Sequence, residues 1–430
     1  MTLRRLLWIM AILIVCGGLV AGSVFAGLFE KSAVAKDIEQ PLTADQMKAL
    51  AQRGAYIAVA ADCYACHTAK GGAAWAGGLP MQTPFGTIYS SNISSDKENG
   101  IGNWTRYEFQ RAVRDGIGKD GKHLYPAMPY ASYRQMTAED VDAVYSYLMT
   151  REPMPVKNKS NDLAFPFNIR RTLTFWNLVN LPGAVPANDP ARSALWNRGR
   201  YLADALAHCG ECHTPRNLMQ GMEQTRYLQG TIIEGVAAPD IMKDGLTRMG
   251  FDVPLLASFM KTGIFAGGAM TNQMFEVVHF STQYMTDDDM KALSAYLFNL
   301  DAVPDQSTPP PAPKPINVAP ELTASARGTY LNLCSGCHGA QGEGIPHVAV
   351  PLATNTSLRI NDARNFVRTV LHGIPAQRFP GLERMQPMPA FKDQLTDQQV
   401  ADLANWARAT WGGQETNVKP ADIASIRHSN

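Results

Sequence analysis

An excess of charge of one sign is missing from this chain. Across 430 residues, 39 Lys and Arg face 38 Asp and Glu, and no long run of like charge occurs. That balance argues against a nucleic-acid partner held on a basic face. No alternating apolar pattern of useful length appears, so extended sheets are not expected and the elements read as all-α. No glycine-rich nucleotide loop follows a strand, and no nucleophile constellation stands out, so the chain has no evident substrate site of its own. Apolar material is not lacking. At 45% hydrophobic, a chain of this length can build cores for two to four domains.

Cysteine is scarce too, and its placement is the main signal. Six of the seven cysteines fall in three copies of one pattern: "CYACH" at 63–67, "CGECH" at 209–213 and "CSGCH" at 334–338. A zinc site or a redox dithiol has no need of a histidine directly after the second cysteine. A covalently held c-type haem needs all three residues. Cys63 and Cys66, Cys209 and Cys212, and Cys334 and Cys337 would each bond the haem vinyl groups, with His67, His213 and His338 as iron ligands. Three haems are therefore expected.

The surroundings of the motifs repeat as well. "RGAY" at 53–56, "RGRY" at 198–201 and "RGTY" at 327–330 precede them within helical patterns. Gly54, Gly199 and Gly328 would each cost a helix about 1 kcal/mol relative to alanine, which suggests close helix packing. Each unit closes with an amphipathic helix, at 136–150, 285–300 and 395–411. Thr137, Thr286 and Thr396 stand at the N-cap, with Asp140, Asp289 and Gln399 three residues on, in the manner of a capping box. The units run over 43–150, 193–300 and 321–412. A connection at 151–192 and a proline-rich spacer at 301–320 join them. Bulky Phe165, Phe167, Leu173, Phe175 and Trp176 in the first connection suggest packing across a domain boundary, or else contact with a partner or membrane surface.

A thioether on the far side of each iron would suit electron transfer. "YPAMPY" offers Met128 and "MQPMPAF" offers Met388, with Met385 as its runner-up. In the second unit Met270 and Met274 compete. Cys63 lies 65 residues before Met128, and the same 65 residues separate Cys209 from Met274, so Met274 is preferred. His123, His208, His279, His347 and His372 lack repeat support. Of these, His279 is the chief rival to Met274.

The N-terminus carries Arg4 and Arg5 before an uncharged run from Leu6 to Phe29. Its length favours a retained membrane helix over a cleaved signal, although "VFA" at 24–26 offers cleavage chemistry. Residues 1–30 are thus read as an anchor or signal segment. Cys16 within it reads as a small apolar residue. The rest of the chain would then face the periplasm of a bacterium.

The stretches "DCYACHTAKGG", "AGGLPMQTPFGTIYSSNIS", "GIGNWT", "KDGKHLYPAMPY" and "RGRYLADALAHCGECHTPRN" resemble the cytochrome c subunits of bacterial membrane-bound dehydrogenases. The resemblance covers nearly all of the chain after the N-terminal run. It implies three tandem cytochrome c-like domains and methionine ligation of all three haems. It also implies a large catalytic partner of quinoprotein, molybdenum or flavin type, oxidising an alcohol, an aldehyde, or a sugar or sugar acid. Electrons would pass to ubiquinone at the inner membrane, the chain having no catalytic residues of its own. A stand-alone membrane-attached carrier is the alternative. A peroxidase-like enzyme is a more distant one, since three methionine ligands would leave no open iron.

Overall fold

The computed structural model describes residues 40–428 and, before them, residues 5, 8, 10, 15, 17–19, 22–28, 32–35 and 38. These gather into two compact units. One comprises 1–188 with 204–208 and 217–221; the other comprises 189–203, 209–216 and 222–430. The second unit therefore holds two of the three CxxCH motifs.

In the first unit, helix Ala44–Ala60 begins at Thr43. The Thr43 hydroxyl accepts from Gln46 N–H, and the Gln46 side chain accepts from Thr43 N–H in return. This helix packs on Ala138–Met149, which buries Val141, Val144 and Leu148. The close approach explains Gly54. A Cβ there would overlap the Ala143 carbonyl and sit 2.8 Å from Tyr147 Cβ. In the second unit, helix Ala194–Tyr201 meets Asp287–Leu297 in the same way, and a Cβ on Gly199 would overlap the Ala292 carbonyl and sit 2.7 Å from Tyr296 Cβ. The third copy departs from the pattern, for Gly328 has open space around it.

The expected threonine N-caps are present at all three terminal helices. Thr396 and Gln399 bond reciprocally at the start of Asp397–Gly412. Thr137 and Thr286 accept from Asp140 and Asp289 N–H, and those carboxylates also hold arginines. Asp140 pairs with Arg53 at 2.7 Å, and Asp289 makes two bonds to Arg198 at 2.7 Å each. Both arginines come from the RGxY sequences.

Two features correct the sequence reading of an all-α fold behind a hydrophobic helix. First, small antiparallel sheets are present. Strands Pro80–Thr83, Gly86–Tyr89 and Asp162–Leu163 form one in the first unit. In the second unit, Thr231–Ile233 pairs with Val236–Ala238, Ile264–Phe265 with Gly268–Ala269, and Gln377–Arg378 with Arg384–Met385. Strands of two to four residues are too short to show a two-residue period. One turn does carry a signal: Glu234 (φ 49°) and Gly235 (φ 74°) both adopt the left-handed backbone of a type I′ hairpin. Second, no helix among the described residues is long and apolar enough to cross a membrane. Residues 26–28 form a turn, and Arg171 donates to the carbonyls of Phe25 and Ala26 at 2.6 Å each. Much of the run, including Arg4, Leu6, Cys16 and Phe29, lies outside the described residues.

Within the first connection, helix Leu173–Asn180 buries Leu173 and Trp176, and the Trp176 indole donates to the Met219 carbonyl at 2.9 Å. Phe165 is 79% exposed. The aromatic run therefore divides between packing and open surface.

Candidate metal centres

Each CxxCH motif folds as a short helical turn: Cys63–His67, Gly210–His213 and Ser335–His338. Residues three and four apart share a helix face, so the two thiols and the imidazole of each motif project to one side. All six cysteines are free of disulfides. Burial, with help from Asp62 and Cys66, pushes the Cys63 thiol up to about 12, and burial with Cys337 pushes Cys334 up to about 11.

The histidines are held by a device repeated three times. His67 Nδ1 lies 2.6 Å from the Ser91 carbonyl oxygen, His213 Nδ1 2.8 Å from that of Pro239, and His338 Nδ1 2.9 Å from that of Val350. A carbonyl only accepts, so Nδ1 carries the proton and Nε2 keeps its lone pair for a metal. Each main-chain carbonyl of these histidines in turn accepts from a glycine N–H at 2.8 Å: Gly77, Gly230 and Gly344 respectively. All three glycines have positive φ, at 68°, 84° and 73°. Each also presses on the backbone beside the Nδ1 acceptor. A Cβ on Gly77 would lie 2.5 Å from the Ser91 oxygen, one on Gly230 would lie 2.9 Å from the Pro239 carbonyl carbon, and one on Gly344 would lie 2.6 Å from Pro351 N.

The chain between glycine and acceptor doubles back. In the first copy it is the hairpin of Pro80–Thr83 and Gly86–Tyr89, and in the second the hairpin of Thr231–Ile233 and Val236–Ala238. In the third it is a tight loop closed by Ile345 and Ala349. Both hydrogen bonds that fix each histidine thus spring from the two feet of one excursion. Neither the glycines nor the acceptors could be picked from sequence, because a main-chain carbonyl leaves no residue-type signature. Burial lowers the pKa of all three imidazoles, against an opposing hydrogen bond to the carbonyl and, at His213, against Asp240 as well. Neutral, Nδ1-protonated imidazoles with paired thiols on the same face are the donor set that a covalently attached haem requires.

The methionines follow a second repeat. Helices Arg106–Asp115, Val253–Thr262 and Arg364–His372 end at left-handed Gly116, Gly263 and Gly373, each followed by isoleucine. The chain then returns. Leu124 N–H donates to the Gly116 carbonyl at 2.7 Å, and Met270 N–H to the Gly263 carbonyl at 2.8 Å. Met270 is therefore the counterpart of Leu124 and is buried at 6% exposure. Met128 and Met274 each stand four residues beyond these returning residues, both half-buried. In the third copy Met388 is itself the returning residue, exchanging backbone bonds with Ile374 at 2.9 and 3.0 Å. Its side chain packs on the core that holds Phe391 and Trp406. Met385 pairs with Gln377 in the small sheet.

The remaining histidines have other contacts. His123 is buried, with the Asn177 amide 3.5 Å from its Nδ1. His208 stacks edge-on to Tyr133, and His347 meets Glu383 at 2.9 Å. His372 is exposed at a helix end. His279 lies against Phe275 and Phe280 on helix Asn272–Phe280. It is five residues after Met274, about 140° round the helix, so the two side chains do not share a face.

Comparison with known proteins places these observations in a family. The cytochrome c family model matches residues 51–152 and 325–411. The chain is 40% identical over 364 residues to a nicotinate dehydrogenase subunit from Pseudomonas putida, covering 84% of this chain but only 30% of that protein. It is 37% identical over 404 residues to the cytochrome c subunit of alcohol dehydrogenase (quinone) from Gluconacetobacter polyoxogenes, covering 90% of this chain and 86% of the relative. The gluconate 2-dehydrogenase cytochrome c subunit of Pantoea cypripedii is 38% identical over 400 residues, covering 88% and 90% respectively.

Proposed function

The chain belongs to the family of dehydrogenase cytochrome c subunits, and on that footing we propose that it relays electrons from a catalytic dehydrogenase subunit to ubiquinone at the periplasmic face of a bacterial inner membrane. It is a c-type cytochrome with covalently bound haem. The haem count of three rests on the histidine clamp, which recurs at His67, His213 and His338 with the same carbonyl and glycine partners. That recurrence is the observation that carries the reading.

Haem supplies reversible one-electron chemistry at its iron. The chain's own residues govern where and at what potential it happens. Cys63, Cys66, Cys209, Cys212, Cys334 and Cys337 would hold the haems covalently. The three carbonyls hold each Nδ1 proton, orient the ring and make Nε2 a stronger donor. Met128, Met274 and Met388 would complete the iron ligand sets, where a thioether would favour the reduced state.

The partner oxidises an alcohol, aldehyde, sugar or sugar acid through a quinone, molybdenum or flavin cofactor of its own. The named relatives, spanning nicotinate, alcohol and gluconate dehydrogenases, support a carrier that serves differing catalytic subunits. Contact with the membrane is supported by exposed Phe165, Phe167 and Ile169 beside the 25–26 segment that Arg171 holds.

Haem staining with pyridine haemochrome titration should give three haems per chain. Substrate alone should leave the purified, haem-loaded protein oxidised, and adding the cognate dehydrogenase should reduce it. Substrate-dependent reduction without the partner would defeat the proposal.

A further inference from the structure

The hairpin that holds His213 is completed by a residue more than a hundred positions away in sequence. Its feet are Gly230, bonded to the His213 carbonyl, and Pro239, bonded to His213 Nδ1. Its register is Thr231 opposite Ala238, Ile232 opposite Ala237 and Ile233 opposite Val236. In an antiparallel pair, alternate residues direct their backbone groups away from the partner strand. With a two-residue turn at Glu234 and Gly235, the middle residue Ala237 is the one facing outward. Ala237 is only 6% exposed, so its N–H and carbonyl need protein partners.

Asn365 supplies both. Its Oδ1 accepts from Ala237 N–H at 2.8 Å, and its Nδ2 donates to the Ala237 carbonyl at 2.8 Å. The carboxamide thus takes the place of a neighbouring strand. One turn further along helix Arg364–His372, Arg368 reaches the hairpin tip, its Nη1 2.9 Å from where a Gly235 Cβ would stand. The first copy braces its hairpin differently, by pairing Gly86 and Thr87 with Leu163 and Asp162.

We propose that Asn365 is a positioning residue for the second haem. By gripping Ala237, it holds the Pro239 carbonyl against His213 Nδ1 and so sets the donor strength of that imidazole. The same helix ends at Gly373 and Ile374, which pairs with Met388. One element therefore touches the ligand supports of two haems. The inference rests on His213 being an iron ligand.

The test uses the full, haem-loaded chain with Asn365→Ala, read by potentiometric titration and by amide hydrogen exchange. Loss of the carboxamide should speed exchange at 231–238 about tenfold, as expected when a buried backbone group loses its partner. It should also raise the potential of one haem, because a looser Nδ1 bond makes the imidazole a weaker donor. The waves of the other two haems should stay in place, and the unmoved third-haem wave also reports that its segment is folded. Unchanged exchange would overturn the proposal. So would faster exchange with no shifted wave, or disturbance of the third haem along with the second. If peptide mass spectrometry of the unsubstituted protein found no haem on Cys209 and Cys212, the ligand reading would fail instead, a result separate from these.

Discussion

Gly77 is pressed against Ser91 while its N–H holds the carbonyl of His67. Ser91 in turn holds His67 Nδ1. A glycine is required on two counts. The backbone is left-handed, at φ 68°, and a Cβ would fall 2.5 Å from the Ser91 oxygen and 2.6 Å from that of Ser90.

The first prediction follows from this contact. Gly77→Ala should destabilise the protein by about 3 kcal/mol or more, combining left-handed strain with backbone overlap. It should also lower haem occupancy at Cys63 and Cys66. Gly71→Ala is the control. Gly71 has φ 72° but open space around it, so only the strain of roughly 1–2 kcal/mol applies. Thermal melts of the two variants measure the difference. Equal losses would show that the contact with Ser91 contributes nothing.

The haem reading could be drawn from sequence because it rests on cysteine and histidine side chains, and because three copies of one motif point the same way. The terminal helices were legible from their three- and four-residue periods, and Val141, Leu148, Met290 and Leu293 are buried as those periods require. The clamps were not, since Ser91, Pro239 and Val350 act through carbonyls that every residue possesses. Asn365 was hidden for a related reason. Its partner is main chain, and nothing in the local sequence of either segment announces the pairing. The short sheets escaped because strands such as Ile264–Phe265 and Gly268–Ala269 contain no full period.

Asp140 and Gln399 occupy matching places but do different work, and substitution should separate them. Asp140 is nearly fully buried and bonds Arg53. Asp140→Ala should cost about 2 kcal/mol, the range for a hydrogen bond to a charged group. The half-exposed Arg53 keeps the figure from rising further. Gln399→Ala removes only the reciprocal capping contact and should cost about 1 kcal/mol or less. Denaturant unfolding of both variants provides the comparison.

His123 should shape the acid limb of stability. Burial, together with Arg171 and Arg111, lowers its pKa from the ordinary value of 6.5. Above that value the folded and unfolded states both hold it neutral, and it contributes no pH dependence. Below it, the unfolded chain binds a proton that the folded chain does not, so stability falls as pH falls. His123→Gln removes this group while leaving the main-chain carbonyl that Arg170 uses. Melting temperature measured between about pH 5 and 8 should therefore fall less steeply on the acid side in the variant. Parallel profiles would show that His123 is protonated alike in both states.

The choice between Met270 and Met274 gives the sharpest test of the ligand set. Two features shared with the first copy favour Met274: the 65-residue interval from the first cysteine, and its place four residues beyond the backbone bond to the helix-ending glycine. Met270 instead fills the position of Leu124, an apolar residue, and is buried. Met274→Ala should leave the haem attached, since Cys209, Cys212 and His213 remain. It should remove one thioether-to-iron absorption band and lower the potential of one haem, because the thioether favours reduced iron. Met270→Ala should keep the band and the potential while losing about 2–3 kcal/mol of stability, as for other buried methionine truncations. The pair of variants is compared by redox titration, near-infrared absorption and thermal melting. If Met270→Ala abolished the band and Met274→Ala spared it, the repeat-based register would be wrong at this site. If both spared it, His279→Ala would be the next variant, and loss of the second-haem wave there would assign the ligand to His279.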